Sequence, residues 1–242
     1  MLAKGIEQVR TKKMDILGYR KLQALIDFHG NIFDDVEQFD HTLKVLLDEL
    51  QAPVPQEEAQ KPASPAWDLK TQVLCTVQFM FDRAKSHFAG YYPNTIVALL
   101  KADKVCEAAP HLSEVIGNLI DDILAEAELV ELAYTIVKVI DFKDSDTEFR
   151  LFLHGMDVLG RIVGRLNERK MSLPDDTTES IAELSARALK KDGLGHQKAV
   201  IVTCVELRKM IASDGRLFTL MRNPDEQTRQ LIMYYKMRET VY

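Results

Sequence analysis

The chain has 242 residues, 46% of them hydrophobic and 28% charged, so it can bury a substantial core in one extended domain or in two small ones. Its net charge of −6 argues against a protein that binds nucleic acid through bulk positive charge. No apolar run reaches the roughly 18 residues that a membrane-spanning helix requires, and the N-terminal stretch MLAKGIEQVR has no apolar signal core. Three widely spaced cysteines without a CxxC pair predict buried thiols in a reducing compartment: Cys75, Cys106 and Cys204.

Apolar residues recur at three- and four-residue steps along most of the chain, which predicts an all-α fold. Gly30 is expected to stop the second helix, and Pro93 and Pro110 are expected in the first turns of later ones. Ser172 or Asp175 is expected to cap the helix that follows it. In chain order, the predicted helices span residues 2–13, 14–29, 36–50, 67–86, 93–102, 110–124, 127–140, 145–170, 174–191, 196–211, 217–221 and 224 onward.

One segment, residues 51–66, interrupts this pattern. It contains four prolines, and Val54 is its only large apolar residue. Such a segment buries too little surface to order itself, so we expect a flexible loop that projects from the scaffold. The helices before it are too few to fold well alone. The sequence therefore predicts a single domain over residues 1–242.

The predicted helices fall into pairs that start near residues 14, 68, 110, 146 and 196. A spacing of roughly forty residues per pair is typical of HEAT repeats, in which each pair buries its apolar stripe only against its neighbours. The sequence thus predicts a HEAT-type α-solenoid of about five antiparallel helix pairs. The competing interpretation is a globular helix bundle of irregular topology.

The helix at 145–170 carries the first candidate site. Ser145 and Glu148 form a capping-box pattern at its start, and a wide apolar stripe follows. A line of basic residues, here called the arginine line, lies opposite that stripe: Arg150, His154, Arg161, Arg165 and Arg169. Arginine forks bind carboxylates and phosphates in bidentate fashion, so the line is a candidate dock for an acidic partner segment. The alternative is a solvated helix face already paired in part by Asp157 and Glu168.

Three further groups are candidates for contact surfaces. The last helix has an apolar run wider than one buried stripe needs, which suggests a partner surface or a homodimer through Leu231, Ile232, Tyr234 and Tyr235. The alternative is that Leu217 and Phe218 fold back and cover it. Aromatic residues at a turn either anchor a partner or close the core: Phe88, Tyr91 and Tyr92. A basic group near the N-terminus is either a dock or a solvated face: Arg10, Lys12, Lys13, Arg20 and Lys21.

The sequence carries little that indicates chemistry. The six histidines make no HExxH motif and no metal-ligand spacing with a cysteine. Phosphate-binding glycine loops and a GxSxG elbow are absent as well. We therefore expect no enzymatic activity, no cofactor and no metal.

Three co-linear segments carry a family resemblance: RKLQAL at 20–25, FAGYYPNTIVALL at 88–100 and HQKAVIVTCV at 196–205. In order and spacing they resemble the C-terminal TOG-like HEAT domain of the CLASP family, the CLIP-associating microtubule regulators. The resemblance covers nearly the whole chain except the proline-rich segment. It implies a docking module for kinetochore, spindle or plus-end proteins, which supports self-association in some members, within a much longer protein.

The same resemblance bears on tubulin. Tubulin-binding TOG domains carry a tryptophan in the first inter-helix turn and basic residues in the following turns. Here residues 30–35 contain no tryptophan but two aspartates, and the only tryptophan, Trp67, follows the proline-rich segment. An acidic domain without the aromatic anchor is repelled by tubulin's acidic surface, which favours docking of other proteins.

The function expected from the sequence is therefore that of a non-enzymatic scaffold in microtubule and spindle organisation. Its partners would be proteins, with microtubules reached indirectly and with no nucleic acid or membrane bound. We expect it in the cytoplasm and cytoskeleton, at the mitotic spindle and kinetochore, and also in the nucleus. The alternatives are an unrelated HEAT adaptor in transport or phosphatase regulation, and a tubulin-binding TOG domain.

Overall fold

The computed structural model describes residues 2–11, 13–29, 32–33, 35–59, 61, 64–105, 109–140, 146–190 and 197–239. They form two compact units, Met1–Ala127 and Glu128–Tyr242. The first unit contains α1 (Leu2–Arg10), α2 (Ile16–Phe28), α3 (Val36–Gln51), α4 (Gln56–Ala59), α5 (Pro65–Arg83), α6 (Lys85–Phe88), α7 (Tyr92–Val105) and α8 (Pro110–Glu126). The second contains α9 (Leu129–Val139), α10 (Asp146–Glu168), α11 (Asp175–Leu189), α12 (Gln197–Ile211), α13 (Asp214–Leu220) and α14 (Glu226–Glu239).

The described residues contain helices and turns but no strand, and the predicted all-α helical-repeat architecture is confirmed. In the first unit α2 packs against α5 and α3 packs against α7. In the second, α10 packs against α12 and α9 packs against α11. Helices at equivalent places in successive pairs therefore cover each other, which is how repeat proteins build a continuous core. The expectation of a single domain over residues 1–242 stays a prediction.

Helix starts follow local capping chemistry more closely than the apolar pattern does. Asp15 accepts a hydrogen bond from the Gly18 backbone N–H at 2.7 Å, so α2 begins at Ile16 and not at the predicted residue 14. The cap predicted for α11 is wrong, because Pro174 holds the N-cap position and makes no side-chain cap bond. The predicted capping box of α10 lies outside the described residues, which do not include Ser145 or the Glu148 side chain.

The proline-rich segment at 51–66 contains fewer non-helical residues than predicted. Gln51 still belongs to α3, α4 occupies one turn inside the segment, and Pro65 opens α5. Proline suits the first helical turn because its missing N–H would have no intrahelical partner there. Trp67, at the start of α5, is only 1% exposed and belongs to the core.

A buried lysine ties the end of α3 to α5. The Lys70 ammonium donates to the backbone carbonyls of Glu49 at 2.6 Å, Leu50 at 2.8 Å and Ala52 at 2.6 Å. The last carbonyls of a helix have no intrahelical donor and carry partial negative charge, so a cation there satisfies both needs. Lys70 therefore acts as a C-terminal cap that comes from a different helix.

An aromatic cluster closes the core of the first unit beside its first two inter-helix turns. Phe39 stands at its centre, with ring contacts to Phe33, Phe88 and Tyr91 at 5.2, 5.8 and 5.5 Å between centroids. Phe88 and Tyr92 are buried, whereas Tyr91 is half-buried at the rim. Phe88 and Tyr92 thus close the core, as one of the two interpretations predicted.

None of the described helices combines the length and apolar character needed to cross a lipid bilayer.

Candidate docking surfaces

Four residues of the arginine line lie on α10, and Arg169 lies in the turn directly after it. The five side chains differ in exposure. Arg150 and Arg169, at its two ends, are exposed, whereas His154, Arg161 and Arg165 are half-buried. Arg161 pairs with Asp157 one turn earlier at 3.1 Å, as the alternative interpretation anticipated. All five residues take part in interactions within the protein. The two ends are therefore the best placed to reach a partner, and the middle of the line is partly structural.

A close helix contact holds α10 in place. The Thr203 hydroxyl of α12 donates to the Met156 carbonyl at 2.7 Å, and a Cβ on Gly160 would lie only 2.8 Å from that hydroxyl oxygen. Further along, the Asn167 amide donates to the Glu206 carbonyl and carboxylate, both at 2.9 Å. Contacts advance along both helices in the same direction, so α10 and α12 run parallel. The helix that carries most of the arginine line is therefore held against α12 by a close contact at Gly160.

The C-terminal candidate surface lies on α14 and is partly covered. Ile232 is 2% exposed and belongs to the core of the second unit, while Leu231 and Tyr235 are half-buried and Tyr234 is 46% exposed. Leu217 of α13 is buried. The Arg229 guanidinium of α14 lies over the Phe218 ring, 5.5 Å from its centroid. Some of the apolar width of this helix therefore serves the protein's own core, and Ile232 cannot be reached by a second copy.

A carboxylate links α12, α13 and α14. Asp214 accepts from Arg208 Nε at 2.6 Å and from Lys236 Nζ at 3.1 Å. The hydrogen bond from Arg208 is the main reason that the pKa of Asp214 lies below its ordinary value, and Lys236 adds to the shift.

The basic group near the N-terminus is divided between α1, α2 and the segment that joins them. Arg10 pairs with Glu7 on its own helix at 2.8 Å, while Lys13, Arg20 and Lys21 are exposed. Lys12 lies outside the described residues. This exposure fits a solvated face, and docking through this group stays a prediction.

The first inter-helix turn is flanked by exposed apolar side chains. Phe28, the last residue of α2, is 83% exposed, and Val36, the first residue of α3, is 58% exposed. Asp35 accepts from the Glu37 N–H at 2.9 Å and so caps α3. Sequence analysis noted the missing tryptophan but overlooked Phe28, which stands beside the same turn.

Sequence analysis also missed a groove between α3 and α7, here called the α3–α7 groove, with a volume of about 370 Å³. Leu43, Leu47 and Ala98 form its apolar floor. Its polar lining includes Asp40, Lys44, Asp48, Tyr91, Asn94 and Thr95. Helical period alone could have placed Asp40, Lys44 and Asp48 on one face of α3, but not opposite α7.

The described thiols are poorly suited to nucleophilic chemistry. Burial raises the pKa of the Cys204 thiol to about 12, and burial also raises the pKa of half-buried Cys75. Both therefore stay protonated near neutral pH. Within the described ranges, no three His, Cys, Asp or Glu side chains come together as a metal site.

Paired helices stacked through equivalent faces, with charged and apolar patches at their surface, define a helical-repeat protein of the HEAT/TOG type. Among known proteins, the chain is similar to Protein stu1 of Aspergillus fumigatus, with 35% identity over 240 residues, covering 99% of this chain and 18% of that protein. Protein STU1 of Coccidioides immitis is 28% identical over 239 residues, covering 98% of this chain and 19% of the relative. Protein stu-1 of Neurospora crassa is 27% identical over 252 residues, with 98% and 22% covered.

The chain therefore spans about a fifth of the length of the curated relatives it matches. Stu1 is the fungal CLASP orthologue, so these matches support the resemblance to the CLASP family. No family model matches the chain.

Proposed function

We propose that this chain is a non-enzymatic protein-docking module of a CLASP-like microtubule-associated protein, equivalent to the C-terminal TOG-like HEAT domain of that family. The observation that carries the proposal is the similarity to Stu1 proteins over 99% of the chain, combined with the helical-repeat fold. The module recruits kinetochore, spindle or plus-end proteins in the cytoplasm and at the mitotic spindle. It reaches microtubules indirectly, through the rest of the longer protein.

The docking face proposed for these partners is the arginine line, because Arg150 and Arg169 are exposed at its ends. They are 19 residues apart, which corresponds to about 28 Å along a helix. An acidic or phosphorylated segment of that length can meet both guanidinium groups while the half-buried members supply local positive potential. Unit Glu128–Tyr242 contains 18 basic and 18 acidic residues, so the line is a local feature and not part of a generally basic surface.

Affinity capture from an extract of mitotic fungal cells, read by mass spectrometry, tests the proposal. The wild-type chain is expected to retain kinetochore, spindle or plus-end proteins. Arg150→Glu with Arg169→Glu is expected to lose them, while Lys190→Glu with Lys198→Glu, exposed cations of the same unit, keeps them. Circular dichroism melts of both double variants check that the fold is intact.

Two results would contradict the proposal in different ways. An eluate that contains another coherent complex, such as transport cargo or phosphatase subunits, would keep the fold and remove the microtubule role. Equal capture by the Arg150 and Arg169 double variant would remove the arginine line as the docking face.

Self-association through α14 is part of the same proposal. Tyr234 is exposed and Leu231 and Tyr235 are half-buried, so together they offer an apolar surface around buried Ile232. Sedimentation velocity across a concentration series should show a dimer that Tyr234→Lys weakens. Monomeric behaviour of the wild-type chain at the highest concentrations would rule this contact out.

Tubulin binding is the second candidate function, and one observation favours it. Phe28 is an exposed aromatic residue beside the first inter-helix turn, where a TOG domain places its aromatic anchor. The charge of the chain opposes it. Co-elution with purified tubulin on a sizing column, lost in Phe28→Asp, would support this candidate over the docking proposal.

A further inference from the structure

The α3–α7 groove is a concave surface with an apolar floor and an acidic rim. Asp40 and Asp48 stand two turns apart on the exposed face of α3, and Lys44 lies between them. The rim therefore carries a net charge of −1. Leu43 and Leu47 below it are buried, so the floor is preformed by the packing of the two helices.

The surroundings reinforce the sign of this charge. Residues 22–127 contain 17 acidic and 7 basic side chains, whereas residues 1–21 contain 2 acidic and 6 basic ones. The Tyr91 hydroxyl at the opposite wall donates a hydrogen bond to the Asp40 carboxylate. Burial is the first cause that raises the pKa of Tyr91, and the Asp40 carboxylate adds to it, as expected for a phenol in a negative field.

A second, independent feature lies in the wall formed by α7. Thr95 is fully buried and lines the groove, yet its hydroxyl has no hydrogen-bond partner among the described residues. Thr42 of α3 and Thr76 of α5 instead donate to the carbonyl four residues earlier, at 2.6 and 2.7 Å. Buried hydroxyls are almost always paired, so Thr95 is an exception in the α7 wall of the groove.

We infer that the α3–α7 groove binds a basic peptide segment of a partner protein, with two cationic side chains on Asp40 and Asp48 and an apolar side chain on the floor. This inference deepens the proposed docking function and rests on it for the existence of a protein partner. It assigns a site separate from the arginine line and selects the opposite charge.

The spacing of the rim sets the length of the bound segment. Eight residues of helix separate Asp40 from Asp48 by about 12 Å, and an extended peptide advances about 3.3 Å per residue. Two cations four residues apart therefore match the two carboxylates. The residue midway between them lies over the floor, where a leucine side chain fits.

The probe is the peptide acetyl-Arg-Gly-Leu-Gly-Arg-amide, titrated into the full ¹⁵N-labelled chain and followed by amide chemical shifts. Saturable shifts are expected in α3 and α7. Asp40→Asn with Asp48→Asn should weaken binding about tenfold, and Lys44→Ser should strengthen it about threefold. The same peptide with glutamate in place of both arginines should produce no shifts.

A matched control separates this site from general attraction to an acidic protein. Glu114 and Asp122 are also exposed and eight residues apart, but they lie on α8. Glu114→Gln with Asp122→Asn should leave the affinity unchanged. Equal weakening by both pairs, shifts scattered over many helices, or no saturable shift at all would overturn the inference. Spectra outside α3 and α7 show whether each variant is folded.

The two proposals fail separately. The titration contains no cell extract, and its variants leave the arginine line untouched. A failed titration would therefore leave the result of the arginine-line capture experiment standing. A failed capture experiment would leave the result of the titration standing.

Discussion

The threonine hydroxyls inside the helices differ in whether they have a hydrogen-bond partner. Six of them donate to the carbonyl four residues earlier: Thr42, Thr71, Thr76, Thr178, Thr203 and Thr219. Thr95 does not, although it is just as deeply buried as Thr203. The same residue type therefore stabilises the fold at one position and costs free energy at another.

Valine substitutions should separate these two cases. Thr95→Val removes an unsatisfied buried hydroxyl from a site of nearly unchanged shape, so we expect the free energy of unfolding to rise by about 1 kcal/mol. Thr203→Val removes a donor bonded to Met156 and Ala199, so we expect it to fall by about 1 kcal/mol. Urea unfolding measures the free energy of unfolding of both variants. A change of the same sign in both would show that the Thr95 hydroxyl has a hydrogen-bond partner.

At the scale of the element, α10 and α12 approach closely because α10 has glycines on the contact face. A Cβ at Gly160 would crowd the Thr203 hydroxyl, which two carbonyls hold in place. At Gly164 a Cβ would make ordinary contacts at 3.6 Å, and at Gly117 of α8 it would meet nothing within 4 Å. Three glycines in helices thus have three different surroundings.

Alanine at these three positions should give opposite results. Gly160→Ala is expected to destabilise the protein by about 1–3 kcal/mol, because Thr203 must move out of its hydrogen bonds. Gly164→Ala and Gly117→Ala are expected to stabilise it by about 0.5–1 kcal/mol, because alanine favours the helix. Chemical denaturation of the three variants is the measurement. A stabilised Gly160→Ala would show that the contact between α10 and α12 is loose.

The junction of α12, α13 and α14 should respond to pH through Asp214. Its pKa is lowered in the folded protein, so the ion pairs contribute stability above the ordinary value of 3.8 and lose it as the pH falls further. Asp214→Asn should cost about 1 kcal/mol or less at pH 7, since the carboxylate is 35% exposed. The difference from wild type should shrink below about pH 4.

Urea midpoints of wild type and Asp214→Asn across pH 2–7 provide the check, and the comparison removes the titration of all other carboxylates. A difference that stays constant through acid pH would show that Asp214 acts through packing and not through its charge.

The helices themselves were predictable because their signal is local. Apolar period and helix-starting prolines act within a few residues. The capping aspartates before Ile16 and Val36 are equally local signals, but the sequence analysis did not use them. The surfaces were predictable only in part. Period placed the five basic residues on one side of α10, but their burial depends on neighbouring helices. Lys70 bonds to the carbonyl of Leu50, 20 residues earlier in the sequence, and Thr203 bonds to that of Met156, 47 residues earlier. No local sequence pattern reveals either contact.

At the scale of the whole molecule, the net charge of −6 conceals an uneven distribution. The acidic excess falls within residues 22–127, while residues 128–242 are balanced. Each unit therefore presents different electrostatics to a partner, and a single pI describes neither. The arginine line and the α3–α7 groove lie in different units and would select opposite charges.

The salt dependence of co-elution with tubulin should separate two effects. One is charge repulsion between the chain and tubulin, and the other is apolar contact through Phe28. Repulsion between two acidic surfaces is screened as the salt concentration rises from about 50 to about 300 mM. If Phe28 anchors tubulin, co-elution should increase over this range and disappear in Phe28→Asp. We expect the chain to elute apart from tubulin at both concentrations, and co-elution at low salt would contradict the argument from charge.

The Lys70 cap has a consequence for the order in which the chain is made. During synthesis the N-terminal end leaves the ribosome first, and domains fold as their segments emerge. Three carbonyls at the end of α3 receive the Lys70 ammonium group, which lies 18 to 21 residues later in the chain. The wall of the groove that carries Asp48 therefore becomes fixed only after Lys70 has emerged, and the first repeat is finished by the second.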